Sequence, residues 1–138
     1  MERREQLTIR YDGAHCSLVI ERSGPNVVVL RISGTDVGEF GEAPMCDLDR
    51  WLAEMSEAEL FIDAREVRGA TIHVSGEWAI WLGRRKAKLR LVTMLAGTRF
   101  VHLTAEFVRR FAELEGIMRI CTEADVFDGA LADALRPG

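Results

Sequence analysis

Ser75 and Gly76 form the part of this chain where residue type and position point most directly to chemistry. The pair stands at the predicted junction between a strand and a helix. A serine hydroxyl at a helix N-terminus either caps the helix, or carries a phosphate that the free N–H groups and the helix dipole stabilise. Glu77, in the first turn, would repel such a phosphate. Capping is the more common role of such a serine, and both interpretations stay open.

His73 lies two residues before Ser75, so a nucleophile and its base must be considered. The G-x-S-x-G turn that presents many catalytic serines is missing. A second cluster of charged residues, Asp63, Arg65 and Glu66, follows a predicted strand, but neighbouring opposite charges usually pair with each other in solvent. We therefore expect no enzyme activity and no catalytic residue.

The cysteines and histidines do not show the spacing of a metal site or a disulfide framework. The three cysteines are odd in number, far apart and outside any C-x-x-C pair, so we expect them to be small buried hydrophobic residues: Cys16, Cys46 and Cys121. The three histidines lack H-x-x-x-H spacing: His15, His73 and His102. We expect no metal and no cofactor.

Composition favours a single globular domain spanning residues 1–138, with 48% hydrophobic residues. Lysine and arginine number 18 against 22 acidic residues, a net charge of −4, which argues against nucleic acid as a partner. The charged start, Met1 to Gln6, does not resemble a signal peptide, and no segment reaches the length of a membrane span. We therefore expect a cytoplasmic protein.

The first half of the chain predicts a β-meander followed by a helix. Apolar and polar residues alternate in 7–11 and again in 18–20, and the more continuous apolar run 27–32 is typical of an inner strand that ends at Gly34. Pro44 suits the first turn of a helix. Its apolar residues fall at helical spacing: Met45, Leu48, Trp51, Leu52 and Met55.

In the second half, predicted strands and helices alternate. Strands are predicted at 60–62, ending at Asp63, at 89–95 and at 118–121. Helices are predicted to begin at Ser75, at Thr104 with a stop at Gly116, and at a capping box formed by Thr122 and Asp125. This order predicts an α/β fold: a single mixed β-sheet with a β-meander start, followed by alternating helices and strands, with the helices mainly on one face.

Trp78 and Trp81 lie three residues apart on the helix predicted to begin at Ser75. We expect at least one of them in the core. The other, with Arg84 on a neighbouring face, is a candidate anchor for a protein partner or for a second copy of the chain.

Several stretches together resemble STAS domains, the fold of the bacterial anti-sigma factor antagonists, in a diverged, STAS-like form. Phe61-Ile62-Asp63 resembles the strand end that precedes the Asp-Ser-Ser-Gly motif of the family. Ser75-Gly76 and Leu82-Gly83-Arg84-Arg85-Lys86 resemble the helix that follows. His73-Val74-Ser75 stands in place of Asp-Ser-Ser. Alignment on Ser-Gly puts Ser75 at the phosphorylated position, whereas alignment on Leu-Gly-Arg puts Gly76 there.

The resemblance implies a non-enzymatic signalling module that binds a protein, such as an anti-sigma factor or a related kinase, through the loop and helix at Ser75. Ser75 would then be the phosphoacceptor, and Ser75→Asp would weaken partner binding without disturbing the fold. The implied partner-binding residues are His73, Gly76, Glu77, Trp78, Trp81 and Arg84. Homodimerisation is left open.

An alternative function is the binding of a small ligand or a lipid. STAS-like sheets resemble the CRAL-TRIO lipid-binding fold. In this interpretation the apolar segment Phe100 to Leu103 lines a pocket.

Overall fold

A computed structural model describes residues 7–136 of the chain. The predicted domain bounds and the charged N-terminal segment extend beyond these residues, so positions 1–6 and 137–138 lie outside the description. Strands and helices follow one another in this order: β1 (Thr8–Asp12), β2 (Cys16–Gly24), β3 (Val27–Asp36), α1 (Ala43–Ala53), β4 (Ala58–Ala70), α2 (Ile72–Arg85), β5 (Leu89–Ala96), α3 (Arg99–Phe111), β6 (Met118–Cys121) and α4 (Ala124–Ala134).

All six strands form one mixed sheet, in which the spatial order follows the chain order. β1, β2 and β3 pair antiparallel as a meander, and β3 to β6 pair in parallel. Each parallel pair requires a crossover, which α1, α2 and α3 supply. The predicted mixed sheet with a meander start is confirmed.

Three of these helices cover one face of the sheet, and α4 covers the other. Val28 and Leu30 belong to the main core with residues of α1, α2 and α3, whereas Val27 and Val29 pack in a second cluster with Phe127 of α4. The apolar run at the start of β3 is therefore buried on both faces, which is why its sequence does not alternate. The prediction of helices mainly on one face is confirmed.

Two strands run further than predicted. β3 continues past Gly34 to Asp36, and β4 continues past Asp63 to Ala70. The parallel ladder between them is kept through two irregularities, after which Thr35 pairs with Gly69. Backbone pairing with a neighbouring strand thus continues the strands where the apolar pattern stops.

The predicted ends of two later helices were wrong. α3 begins after Thr98, whose side chain accepts a hydrogen bond from the amide of Val101 at 3.1 Å, and Thr104 lies inside the helix. It ends at Phe111, before Gly116, and the chain turns away at Glu113 with φ of 57°. The residue that precedes α4 is Glu123, and no side chain caps this helix, so the predicted capping box does not form.

Candidate functional site

α2 begins one turn earlier than the sequence predicts. Its N-cap is Thr71, whose Oγ1 accepts a hydrogen bond from the amide of Val74 at 3.2 Å. The prediction of Ser75 as N-cap was wrong. Because β4 extends to Ala70, the junction between strand and helix lies at Thr71, and Ser75 is the fourth residue of the helix.

The side chain of Ser75 faces inward and is only 8% exposed. It lies in the wall of a cavity and makes no side-chain hydrogen bond within residues 7–136. No fully buried side-chain polar atom in that range lacks a partner, so the hydroxyl keeps some accessible surface. A kinase could not reach this hydroxyl without local opening of α2. The role of Ser75 as a phosphoacceptor stays a prediction.

The cavity has a volume of about 90 Å³ and lies between the sheet and the helices α2 and α3. Its walls are almost entirely apolar, and Phe100 and Val101 are among them. It sits towards the carboxyl ends of the parallel strands β3 and β4, where open α/β sheets commonly bind ligands. The structure therefore contains the apolar space that the small-ligand alternative requires. Phe100 and Val101 line it, as predicted, whereas Leu103 is exposed and does not.

Asp36 closes the cavity at the end of β3 and is only 9% exposed. Its Oδ1 accepts a hydrogen bond from the amide of Gly38 at 3.0 Å, and its Oδ2 accepts one from Nε1 of Trp78 at 3.4 Å. Its carbonyl oxygen accepts from the amide of Thr71 at 3.1 Å. The sequence analysis did not single out this residue, since it ended the strand at Gly34.

The two tryptophans of α2 differ in burial. Trp81 is buried and donates from Nε1 to Asp49 of α1 at 3.0 Å, whereas Trp78 is half-buried at the cavity. The two rings meet edge to face with their centroids 5.9 Å apart. The expectation that at least one tryptophan lies in the core is confirmed.

Asp49 also joins α1 to α2 through Arg85. Nε and Nη2 of Arg85 donate to the two carboxylate oxygens at 2.7 and 2.8 Å. These hydrogen bonds, helped by the one from Trp81, hold the pKa of Asp49 below its ordinary value against the opposing effect of burial. The pair thus links the two helices α1 and α2.

The predicted partner-binding residues all lie on α2 but do not form one surface. His73 and Glu77 are neighbours one turn apart, with His73 Nε2 and Glu77 Oε1 separated by 3.4 Å, and Arg84 is exposed in the last turn. Gly76 is half-buried, and Trp81 points into the core. Partner binding by this set stays a prediction, although burial leaves Trp81 unable to contact a partner directly.

Sequence reasoning missed the most exposed apolar side chain near this helix, Ile72. It is 91% exposed and directly follows the N-cap. Because the amide of Thr71 bonds to Asp36, the residues that follow the two strands lie at the same edge of the sheet. The residue after β3, Val37, is also exposed. The signal in the sequence that could have indicated this exposed side chain is an isoleucine directly after a threonine that can cap a helix.

The cysteines and the other potential ligands are dispersed. Cys16 is buried and Cys121 is half-buried, but Cys46 is exposed, so the expectation of three buried cysteines was wrong. Burial raises the pKa of the Cys16 thiol to about 11.

In the described part of the chain, no group of three His, Cys, Asp or Glu residues is arranged to hold a metal ion. Within residues 7–136, no helix is long and apolar enough to cross a membrane.

Solved structures share this fold. An uncharacterized protein of the DUF3478 family with a SpoIIAA-like fold, from Shewanella loihica PV-4, matches with a TM-score of 0.63 and 17% identity over 88% of this chain and 98% of that chain. The anti-sigma factor antagonist SpoIIAA in its unphosphorylated form matches with a TM-score of 0.56 and 16% identity over 83% of this chain and 96% of that chain. No protein-family model and no curated protein matches the sequence. The chain therefore has a STAS-like fold, as its motifs predicted.

Proposed function

We propose that this protein, whose fold is that of an anti-sigma factor antagonist, is a non-enzymatic regulatory module that binds a protein partner. The partner would be an anti-sigma factor or a related kinase in the bacterial cytoplasm. The proposed contact surface is the start of α2 with the adjoining end of β3. The proposal is supported by analogy with the anti-sigma factor antagonist that shares the fold and by the exposed residues of that edge.

The observation that carries the proposal is the exposure of Ile72. In the free protein this large apolar side chain is 91% exposed, so nearly all of its apolar surface is in unfavourable contact with water. Burying it against a partner would recover about 1.5 to 3 kcal/mol. The exposed side chains of Val37, His73 and Glu77 would surround it with a mixed rim, the usual arrangement around an interface anchor.

If binding is switched by phosphorylation, Thr71 fits the acceptor role better than Ser75. Thr71 is exposed at the N-terminus of α2, where a phosphate gains from free N–H groups and the helix dipole. Ser75 is buried and would need α2 to open. Peptide mapping of the protein purified from its native host distinguishes the two, because they differ in the fragment ion that carries the phosphate.

A photo-crosslinking amino acid tests the surface directly. We expect a discrete protein adduct in the native host when the crosslinker replaces Ile72. No such adduct should form when it replaces Val126, an apolar residue of α4 that is 57% exposed on the opposite face. With the partner purified, Ile72→Glu should weaken binding by roughly tenfold or more, the effect of losing an interface anchor. Equal affinity for Ile72→Glu and Val126→Glu would refute this surface.

Homodimerisation has its own candidate surface on α3. Four large apolar side chains on this helix are each about half exposed, and two of their rings contact each other: Phe100, Leu103, Phe107 and Phe111. Sedimentation of the wild type and Phe107→Glu would show whether a second copy covers them.

The cavity supports a second candidate function, the binding of a small ligand. An apolar cavity of about 90 Å³ is larger than the volume of one water molecule, and apolar cavities stay dry. This function does not exclude partner binding, because the contact surface lies at the start of α2 and the cavity lies beneath the same helix.

A further inference from the structure

The cavity exists because small residues of β4 face the long side chains of α2 and α3. Ala64, Gly69 and Ala70 line the sheet side. A Cβ placed on Gly69 would lie 3.6 Å from Cε1 of Phe100, an ordinary contact. Phe100 is 56% exposed, so its ring lies where the cavity meets solvent. A small molecule could therefore enter beside Phe100.

Three polar side chains line this apolar space, and only Ser75 has a hydrogen-bond donor that no other described residue uses. Thr104 donates to the carbonyl oxygen of Phe100 at 3.1 Å, and both carboxylate oxygens of Asp36 accept hydrogen bonds. The hydroxyl of Ser75 is the exception among residues 7–136, and it is 92% buried by residue. Since no fully buried side-chain polar atom of the described residues lacks a partner, the Ser75 hydroxyl keeps accessible surface from which it can donate to a ligand in the cavity.

The charge in the wall is negative. Asp36 lines the cavity, and no lysine, arginine or histidine of the described chain does so. A ligand carboxylate or phosphate inside would meet a like charge and no counter-ion, in surroundings of low dielectric. A ligand cation would lose its water in exchange for a carboxylate whose oxygens are already bonded.

We infer that the cavity binds a neutral, mostly apolar molecule, or the end of a longer one, that carries a single uncharged hydrogen-bonding group directed at Ser75. This inference rests on the small-ligand function proposed above. Its size follows from the volume: a cavity of 150 Å³ holds benzene, so 90 Å³ accepts about four carbon atoms. Fatty acids and phosphorylated headgroups are excluded from the interior by Asp36.

A titration with three probes of equal chain length tests the inference on the intact protein. The probes are 1-butanol, butanoate and butylammonium, and the readout is the movement of backbone amide NMR signals of Ser75, Gly69 and Val101. We expect 1-butanol to move these signals at concentrations roughly tenfold lower than either charged probe, because each ion must be desolvated to enter. If butanoate or butylammonium bound as tightly as 1-butanol, the inference that the ligand is neutral would be wrong, but the small-ligand function would still stand.

Two variants address the polar group and the charge. Ser75→Ala should weaken 1-butanol binding roughly fivefold, the net effect of one lost hydrogen bond, while Gly76→Ala, which does not line the cavity, should leave it unchanged. Asp36→Asn should improve butanoate binding. Unaltered 1-butanol binding in Ser75→Ala would refute the hydrogen bond. If no probe moves the cavity signals of the wild type, both the inference and the small-ligand function fail, and the partner surface is unaffected.

Discussion

The backbone amide of Ser75 donates a hydrogen bond to the carbonyl oxygen of Thr71 at 3.0 Å, which places Ser75 a full turn inside α2. The two hydroxyls therefore differ in role. Thr71 is exposed and caps the helix, and Ser75 is buried beside an apolar cavity.

Replacing the cap should cost more than replacing the buried hydroxyl. Thr71→Ala leaves the amide of Val74 without its acceptor and should lower the free energy of unfolding by about 1 kcal/mol. Ser75→Ala removes a hydroxyl without a partner in the described chain and should change it by less than about 0.5 kcal/mol. Urea denaturation measures both, with Thr71→Ser as the matched control. A larger loss for Ser75→Ala would contradict this assignment of the cap.

A negative charge should be tolerated at residue 71 and not at residue 75. Thr71→Asp keeps a good capping residue. Ser75→Asp puts a carboxylate into an apolar wall, where desolvation raises its pKa above the unfolded value of about 3.9. The variant should approach wild-type stability below about pH 4 and lose about 2 kcal/mol or more as the pH rises to 7. The sequence-based expectation that this substitution leaves the fold intact would be upheld if thermal melts at pH 7 matched the wild type.

Gly76→Ala should stabilise the protein. Gly76 lies within α2, and no atom lies within 4 Å of a Cβ placed there. Alanine in a helix is more favourable than glycine by about 0.5 to 1 kcal/mol. Gly34→Ala is the opposite case, because φ is 85° and the new Cβ would clash with the carbonyl oxygen of His15. Thermal denaturation should show the two variants shifted in opposite directions.

The link between α1 and α2 should respond to acid. The lowered pKa of Asp49 means that its contribution to stability is present above the unfolded value of about 3.9 and is lost as the pH falls through the folded value. Asp49→Asn should therefore destabilise the protein at pH 7, by about 1 kcal/mol for this partly exposed pair, and the difference should shrink below about pH 4. Asp133→Asn, which removes an exposed pair with Arg136, is the control. A constant difference at every pH would count against the Asp49–Arg85 pair.

The three thiols should react at different rates. Cys46 is exposed, whereas Cys16 is buried with its pKa raised to about 11 by that burial. A thiol reagent at pH 8 should therefore label Cys46 first and Cys16 only on unfolding, because the thiolate is the reactive form. Mass spectrometry of time points gives the order. Early labelling of Cys16 would indicate that the strand β2 opens at its start.

Local patterns were sufficient for much of the architecture. Alternating apolar residues predicted the meander, the run from Val27 predicted an inner strand of the sheet, and Pro44 marked the first turn of α1. The strand Met118–Cys121 has the predicted bounds. These features depend on interactions between residues close in the chain, or on the mean burial of a segment, and both leave a periodic signature.

The edge of the sheet at which α2 begins depended on long-range contacts instead. Pairing with β3 carries β4 to Ala70, and this extension moves the helix start from Ser75 to Thr71 and turns Ser75 inward. The cavity needs β3, β4, α2 and α3 together, and Asp36 at the end of β3 meets Trp78 of α2 in its wall. The sequence by itself thus determined the order and type of most elements and the family resemblance. The tertiary structure decided which hydroxyl is exposed and which is buried, because inter-strand hydrogen bonds and helix packing set the ends of elements beyond the reach of any local pattern.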